Sequence, residues 1–166
     1  VITVHVRKSG LFSAFAHDHV ITAPIASGTL DTQTMIVQII VPTRQMKVMD
    51  PEVSEKDRAE IQSTMLGPKV LNVERYPEIR FTSSHVESVG ARRYRVSGKL
   101  ELHGVSRELS FEVTGGPERY EGKTKLKQTE FGIEPVAVAG GTVKVKDELE
   151  IEFNVFGPEL ASGNHR

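Results

Sequence analysis

Cysteine is absent from the 166 residues. That excludes structural disulfides, thiolate chemistry and cysteine-ligated zinc. A cysteine-free chain suits any redox compartment, so the count does not locate the protein. An excess of charge is missing too: 21 Lys and Arg stand against 22 Asp and Glu, for a formal net charge of −1. This argues against a nucleic-acid protein held by bulk electrostatics. No apolar run is long enough to span a bilayer as a helix. Repeats, low-complexity tracts and linkers are lacking, so the chain reads as one domain. At this length a single core buries most of the surface, and folding needs no metal or disulfide staple. Common catalytic signatures are also absent. There is no nucleophile elbow, no His-Glu-x-x-His and no glycine-rich phosphate loop. Ser13 lies near His17, but nothing indicates an oxyanion hole or an orienting third group. No enzyme is expected.

What the chain does contain is alternation. Ile2, Val4 and Val6 oppose Thr3, His5 and Arg7, as in a half-buried strand. Thr34 to Val41 is apolar on both faces, as in a covered strand, and Pro42 follows it. Ser54 and Asp57 stand at capping-box spacing ahead of helix formers from Glu55 to Leu66, and Gly67-Pro68 is a stop signal. A further helical turn is expected over Lys69 to Val73. Strands then follow one another. Ile79 and Phe81 share a face, as do Tyr94, Val96, Gly98, Leu100 and Leu102, then Leu109, Phe111 and Val113, and finally Val143, Val145, Leu149, Ile151, Phe153 and Val155. About eight strands at close spacing with one inserted helix, around residues 54–73, predict an all-β, antiparallel eight-stranded barrel. Such a barrel is either filled by side chains or holds one ligand. The domain is expected over residues 1–157, with a flexible tail over 158–166.

Two of the six histidines stand close together, in His17-Asp18-His19. If the segment is extended, His17 and His19 share a face with Ile21, Ala23 and Ile25. Asp147 shares parity with Val145 and Leu149, which places a carboxylate on an apolar face. It needs a partner there, unless a β-bulge turns it outward. A hydrogen-bonded cluster of His17, His19 and Asp147 at one polar end of the barrel is the main reading. The alternative is a metal site on His17 and His19, structural or catalytic. It needs further ligands, for which His103 and Asp147 are candidates. His5 and His165 read as exposed, His103 as a turn residue, and His85 shares parity with Phe81 unless its strand ends first.

Three segments resemble a known family. They are Tyr76-Pro77-Glu78-Ile79-Arg80-Phe81-Thr82-Ser83, Val96 to Arg107 with His103-Gly104, and Glu130-Phe131-Gly132-Ile133. Their order and spacing are similar to those of the YceI-like, or polyisoprenoid-binding, proteins, with an HDH stretch that resembles a subgroup. The resemblance implies a lipocalin-like barrel with an apolar tunnel that carries or sequesters an isoprenoid-tailed or other long-chain amphiphile. It also implies a periplasmic or secreted location. No cofactor is required and no metal is expected, although an isoprenoid lipid or quinone is a candidate occupant. The expected partner is a small apolar or amphiphilic ligand, with no nucleic acid and no integral membrane segment; a homodimer is left open. The residues expected to line the site are Phe12, Phe15, Ile21, Ile25, Phe81, Leu100, Phe111, Phe131, Leu149 and Ile151.

Overall fold

The computed structural model describes residues 2–9, 18–31, 36–115, 119–138 and 143–156. In chain order these form β1 (Ile2–Ser9), β2 (His19–Ala23), β3 (Ser27–Asp31), β4 (Ile36–Pro42), β5 (Lys47–Val48), α1 (Glu55–Leu66), β6 (Glu78–Gly90), β7 (Arg93–Leu102), β8 (Val105–Gly115), β9 (Arg119–Lys127), β10 (Ala137–Val138) and β11 (Val143–Phe156). All pairings are antiparallel, and the sheet runs β3-β4-β6-β7-β8-β9-β11-β1-β2-β5, with β10 added beside β11.

The path therefore has ten strands where eight are expected, and the difference is two bends. β2 and β3 are one course of chain, broken around Pro24, which has no N–H to give a ladder. β4 and β5 are a second course, broken by a 3-10 turn at Thr43–Gln45. The two courses pair with each other, β2 with β5 and β3 with β4. The Ala26 N–H to Ile40 carbonyl bond (3.0 Å) and the Met49 N–H to Val20 carbonyl bond (2.8 Å) extend those ladders. Because β2 also pairs β1 and β4 also pairs β6, the sheet closes. Counted by course, eight go round the barrel. Closure removes the unpaired edges that an open sheet would expose.

The interior follows from the alternation. Val4, Val6, Ile21, Ala23, Val41, Phe81, Leu100, Leu102 and Leu126 are buried. Outside, cross-strand charges face each other: Lys123 meets Glu152 and Lys125 meets Glu148, each at 3.4 Å. These exposed pairs suit a solvated face and add little stability.

α1 begins where the capping signal places it. The Asp57 N–H donates to Ser54 Oγ at 3.1 Å, and the helix ends at Leu66 before Gly67-Pro68. The helical turn expected over Lys69 to Val73 does not form. Non-helical bonds from Leu71 N–H to the Met65 carbonyl (3.0 Å) and from Val73 N–H to the Leu66 carbonyl (3.1 Å) fold the chain back instead. This return buries Leu71 and Val73. Within α1 only Met65 is buried, so polar contacts seat the helix. Gln62 Nε2 donates to the Met46 carbonyl (2.7 Å), and the Val48 N–H donates to Gln62 Oε1 (2.8 Å). One side chain thus satisfies the exposed edge of the short β5.

Candidate functional site

The barrel encloses a cavity of about 210 Å³. Its two ends differ. At the helix end Met65, Val70 and Leu71 lie against it, with Met46, Leu126 and Ile133 from the wall. At the other end stand three phenyl rings. Phe81 and Phe111 have centroids 5.3 Å apart, and Phe111 and Phe153 have centroids 5.2 Å apart. Register places the rings there: Phe153 pairs with Ile2 and Ile2 with Ala23, whereas Leu149 pairs with Val6 and Val6 with His19. Of the lining residues, only Thr124 and Gln128 are polar. Gln128 is already engaged, since its Nε2 donates to the Lys146 carbonyl at 3.0 Å. Such a lining offers dispersion and water exclusion but no charge, and the Thr124 hydroxyl is its one polar group without a bond named above.

Of the ten residues expected to line the site, six line this cavity: Ile21, Phe81, Leu100, Phe111, Leu149 and Ile151. Two do not. Phe131, only 2% exposed, is packed without touching the cavity. It ends a 3-10 turn (Gln128–Phe131) and its carbonyl takes a hydrogen bond from His103 Nδ1 at 3.1 Å. Ile25 sits in the bend between β2 and β3, where alternation is broken, and its Cγ2 faces Gly28 instead. Phe12, Phe15 and His17 lie outside the described residues.

The polar cluster differs from expectation. His19 does turn to the same side as Ile21 and Ala23 and is half-buried. Its partner is Asp50, not Asp147: His19 Nδ1 lies 2.6 Å from Asp50 Oδ2. The Val20 N–H donates to Asp50 Oδ1 at 2.7 Å. Arg58 of α1 donates twice to the Asp50 carbonyl, at 3.1 and 2.9 Å. Asp50 is 3% exposed and fully engaged, so this constellation ties β2 to the helix. Sequence parity misses Asp50 because it stands in the loop before α1, where no alternation exists to mark it.

Asp147 is elsewhere for a physical reason. Between Val6 and Lys8 of β1 the register on β11 jumps from Leu149 to Val145. This bulge carries Asp147 off the inward row. The carboxylate instead caps the 3-10 turn, accepting from the Thr129 hydroxyl (2.6 Å) and the Thr129 N–H (2.8 Å). The Thr129 hydroxyl, more than any other group, holds it below the usual carboxylate range. A second bulge, at Ser84, turns His85 outward, where it lies 3.6 Å from Glu87. His103 does occupy a turn. Its φ of 54° is followed by 72° at Gly104, the pair of positive values that a two-residue hairpin turn requires. Among the described residues, no group of three or more His, Asp or Glu side chains could hold a metal ion.

Comparison with known proteins gives a consistent answer. A model of the YceI-like domain matches residues 3–156. A UPF0312 protein of Pseudomonas putida (strain W619) is 30% identical over 104 residues, 57% of this chain and 54% of that protein. One from Photorhabdus laumondii is 31% identical over 123 residues, 73% of this chain and 56% of its own length. The chain thus spans about half the length of the curated relatives it matches. Among solved structures, BcnA of Burkholderia cenocepacia has the same fold, with a TM-score of 0.66 at 18% identity, covering 92% of each chain. A YCEI protein of Campylobacter jejuni aligns with a TM-score of 0.57 at 14% identity, over 84% of this chain and 82% of that one. Among the described residues no helix is long and apolar enough to cross a membrane.

Proposed function

The chain belongs to the YceI-like family, and from its apolar cavity we propose that it binds the tail of an isoprenoid or other long-chain amphiphile. It acts by sequestration, without chemistry on the ligand. The observation that carries this reading is the cavity itself, about 210 Å³ with Thr124 and Gln128 as its only polar lining. For scale, an engineered apolar cavity of about 150 Å³ in another protein takes up benzene. The family likeness supports a periplasmic or secreted setting, where an apolar tail needs a carrier to cross water.

Magnitudes bound the ligand. At about 30 Å³ for a water-sized group, a cavity of about 210 Å³ takes roughly seven such groups. At about 0.8 kcal/mol per buried CH₂, that is about 5–6 kcal/mol before ordering costs. Micromolar affinity needs about 8 kcal/mol. Tight binding therefore requires contacts beyond the resting cavity, from the rest of the tail or from the head group at the rim.

The test is extraction of purified protein into organic solvent followed by mass spectrometry, together with titration of geraniol, farnesol and geranylgeraniol. A near-stoichiometric lipid or saturable binding of these alcohols is expected. A clean extract with no binding of any of them would remove the proposal.

A further inference from the structure

Resting on the sequestration reading, we infer that Phe111 sets how much apolar tail the barrel accepts. The three rings are not equivalent. Phe81, on β6, lies over Gly98 of β7: a Cβ there would meet the β6 backbone at the Thr82 carbonyl and Ser83 Cα, and would come within 2.8 Å of Phe81 Cζ. Phe153, on β11, lies in the same way over its register partner Gly122 of β9, where a Cβ would collide with Cζ outright. Both rings reach over strands that have no side chain at that point. They replace missing wall, as aromatic residues do when they cover glycine in a neighbouring strand.

Phe111 stands on β8, between the two glycine strands, and has no such seat. Its partner on β7 is Val96, which carries a branched side chain. Its ring is held by the flanking rings, tilted by 52° against Phe81 and edge-on at 71° to Phe153. It remains half-buried and lines the cavity. A ring with no recess in the wall occupies lumen. Removing it enlarges the space open to a tail, whereas removing Phe81 or Phe153 uncovers backbone. The sequence pattern across five adjacent strands, Phe81, Gly98, Phe111, Gly122 and Phe153, thus separates two wall rings from one ring that fills.

This assigns Phe111 a measurable effect on chain-length preference. The probe is an alcohol series from n-hexanol through n-tetradecanol, titrated into the full chain and into Phe111→Leu and Phe111→Ala. While each added CH₂ is buried, Kd falls by about fourfold per carbon. The unsubstituted protein reaches its plateau at a shorter chain than either variant. Both variants continue to gain for several carbons more, Phe111→Ala the further. Phe111→Leu keeps an apolar filler of smaller size and serves if the alanine variant fails to fold. A plateau at the same length in the unsubstituted protein and in the folded variants would overturn the role of Phe111 while leaving sequestration intact. If no member of the series binds the unsubstituted protein, the sequestration reading itself fails, and the assignment falls with it.

Discussion

The helix end and the ring end of the barrel are built on different principles. Four polar side chains are buried among the described residues. Three of them, Thr43, Asp50 and Gln128, belong to the helix end. Each joins two segments: Thr43 Oγ1 donates to the Tyr76 carbonyl (2.9 Å), Asp50 holds His19, and Gln128 holds the bulge of β11. The ring end has one, Ser83, whose Oγ accepts from the Val37 N–H at 2.7 Å. There β4 and β6 part company. Their ladder runs from Pro42 and Glu78 to Gln38 and Thr82, after which β6 continues to Gly90 against β7 alone. Ile36, beside this seam, is 47% exposed. Directional bonds fix one end, and packing between rings covers the other. A barrel that keeps one end specified and the other soft can admit a ligand without losing its register, because opening a seam of few hydrogen bonds costs less than opening a pinned one.

The sharpest way to break this contrast is to remove packing from the pinned end. Phe131→Ala creates a cavity under the 3-10 turn and is expected to cost about 3–5 kcal/mol in urea unfolding. It should leave the chain-length profile of bound alcohols unchanged, because Phe131 does not touch the lumen. A shift of that profile would mean that the two ends are not independent. Asp50→Ala comes next. It strips His19 and the Val20 N–H of their acceptor and is expected to cost about 2–3 kcal/mol. Arg58 keeps its bonds, since these go to the Asp50 carbonyl. A neutral result would show that water replaces the carboxylate and that the pin is decorative.

The same contrast explains what the sequence reveals. The lumen is legible because regular strands obey period two: Ile21, Phe81, Leu100, Phe111, Leu149 and Ile151 are inward for that reason alone. Errors arise where the period is broken. The bulge at Ser84 flips His85, the bulge on β11 moves Asp147, and the bend at Pro24 displaces Ile25. A bulge has no signature of its own: one extra residue at Ser84 inverts the parity counted across it, and the two extra residues on β11 displace Asp147 within the bulge. Asp50 is invisible for another reason, since its role depends on where a loop meets a strand far away in sequence. The segments that carry the family resemblance are legible as a pattern, and part of each serves structure. Tyr76 packs its ring on His103 at 4.7 Å, a Cβ on Gly104 would lie 2.7 Å from the Tyr76 ring, and the Phe131 carbonyl takes the His103 Nδ1 bond. These residues lock the helix end, and the same segments also supply lumen through Phe81, Leu100 and Ile133.

At the ring end a smaller effect is expected from Ser83→Ala. The Val37 N–H loses its acceptor in a part-buried bond, so the cost is about 1 kcal/mol. The more telling readout is local. Amide exchange at Val37 should accelerate while that of Val20, at the pinned end, stays as it was. Equal acceleration at both would show global loosening and contradict a seam that opens by itself.

The smallest effect concerns pH and tests the pinned end again. The Asp147 carboxyl titrates below its usual range because the Thr129 hydroxyl, and then the Thr129 N–H, hydrogen-bond its charged form. A folded-state value below the unfolded one, about 3.9 for Asp, means that the unfolded chain binds the proton first. The stabilisation is therefore complete at pH values above the unfolded value and disappears as pH falls through the folded one. Asp18, Glu112 and Glu152 are shifted in the same direction by their own partners, so the acid limb of stability has several contributors. The informative quantity is the difference between the protein and Asp147→Asn. Asparagine can still accept from Thr129 but carries no charge, so the two should differ by less than about 1 kcal/mol at neutral pH and converge as pH falls through the folded-state value. If instead the gap is constant from neutral pH into acid, Asp147 acts through shape alone and its charge contributes nothing to the turn it caps.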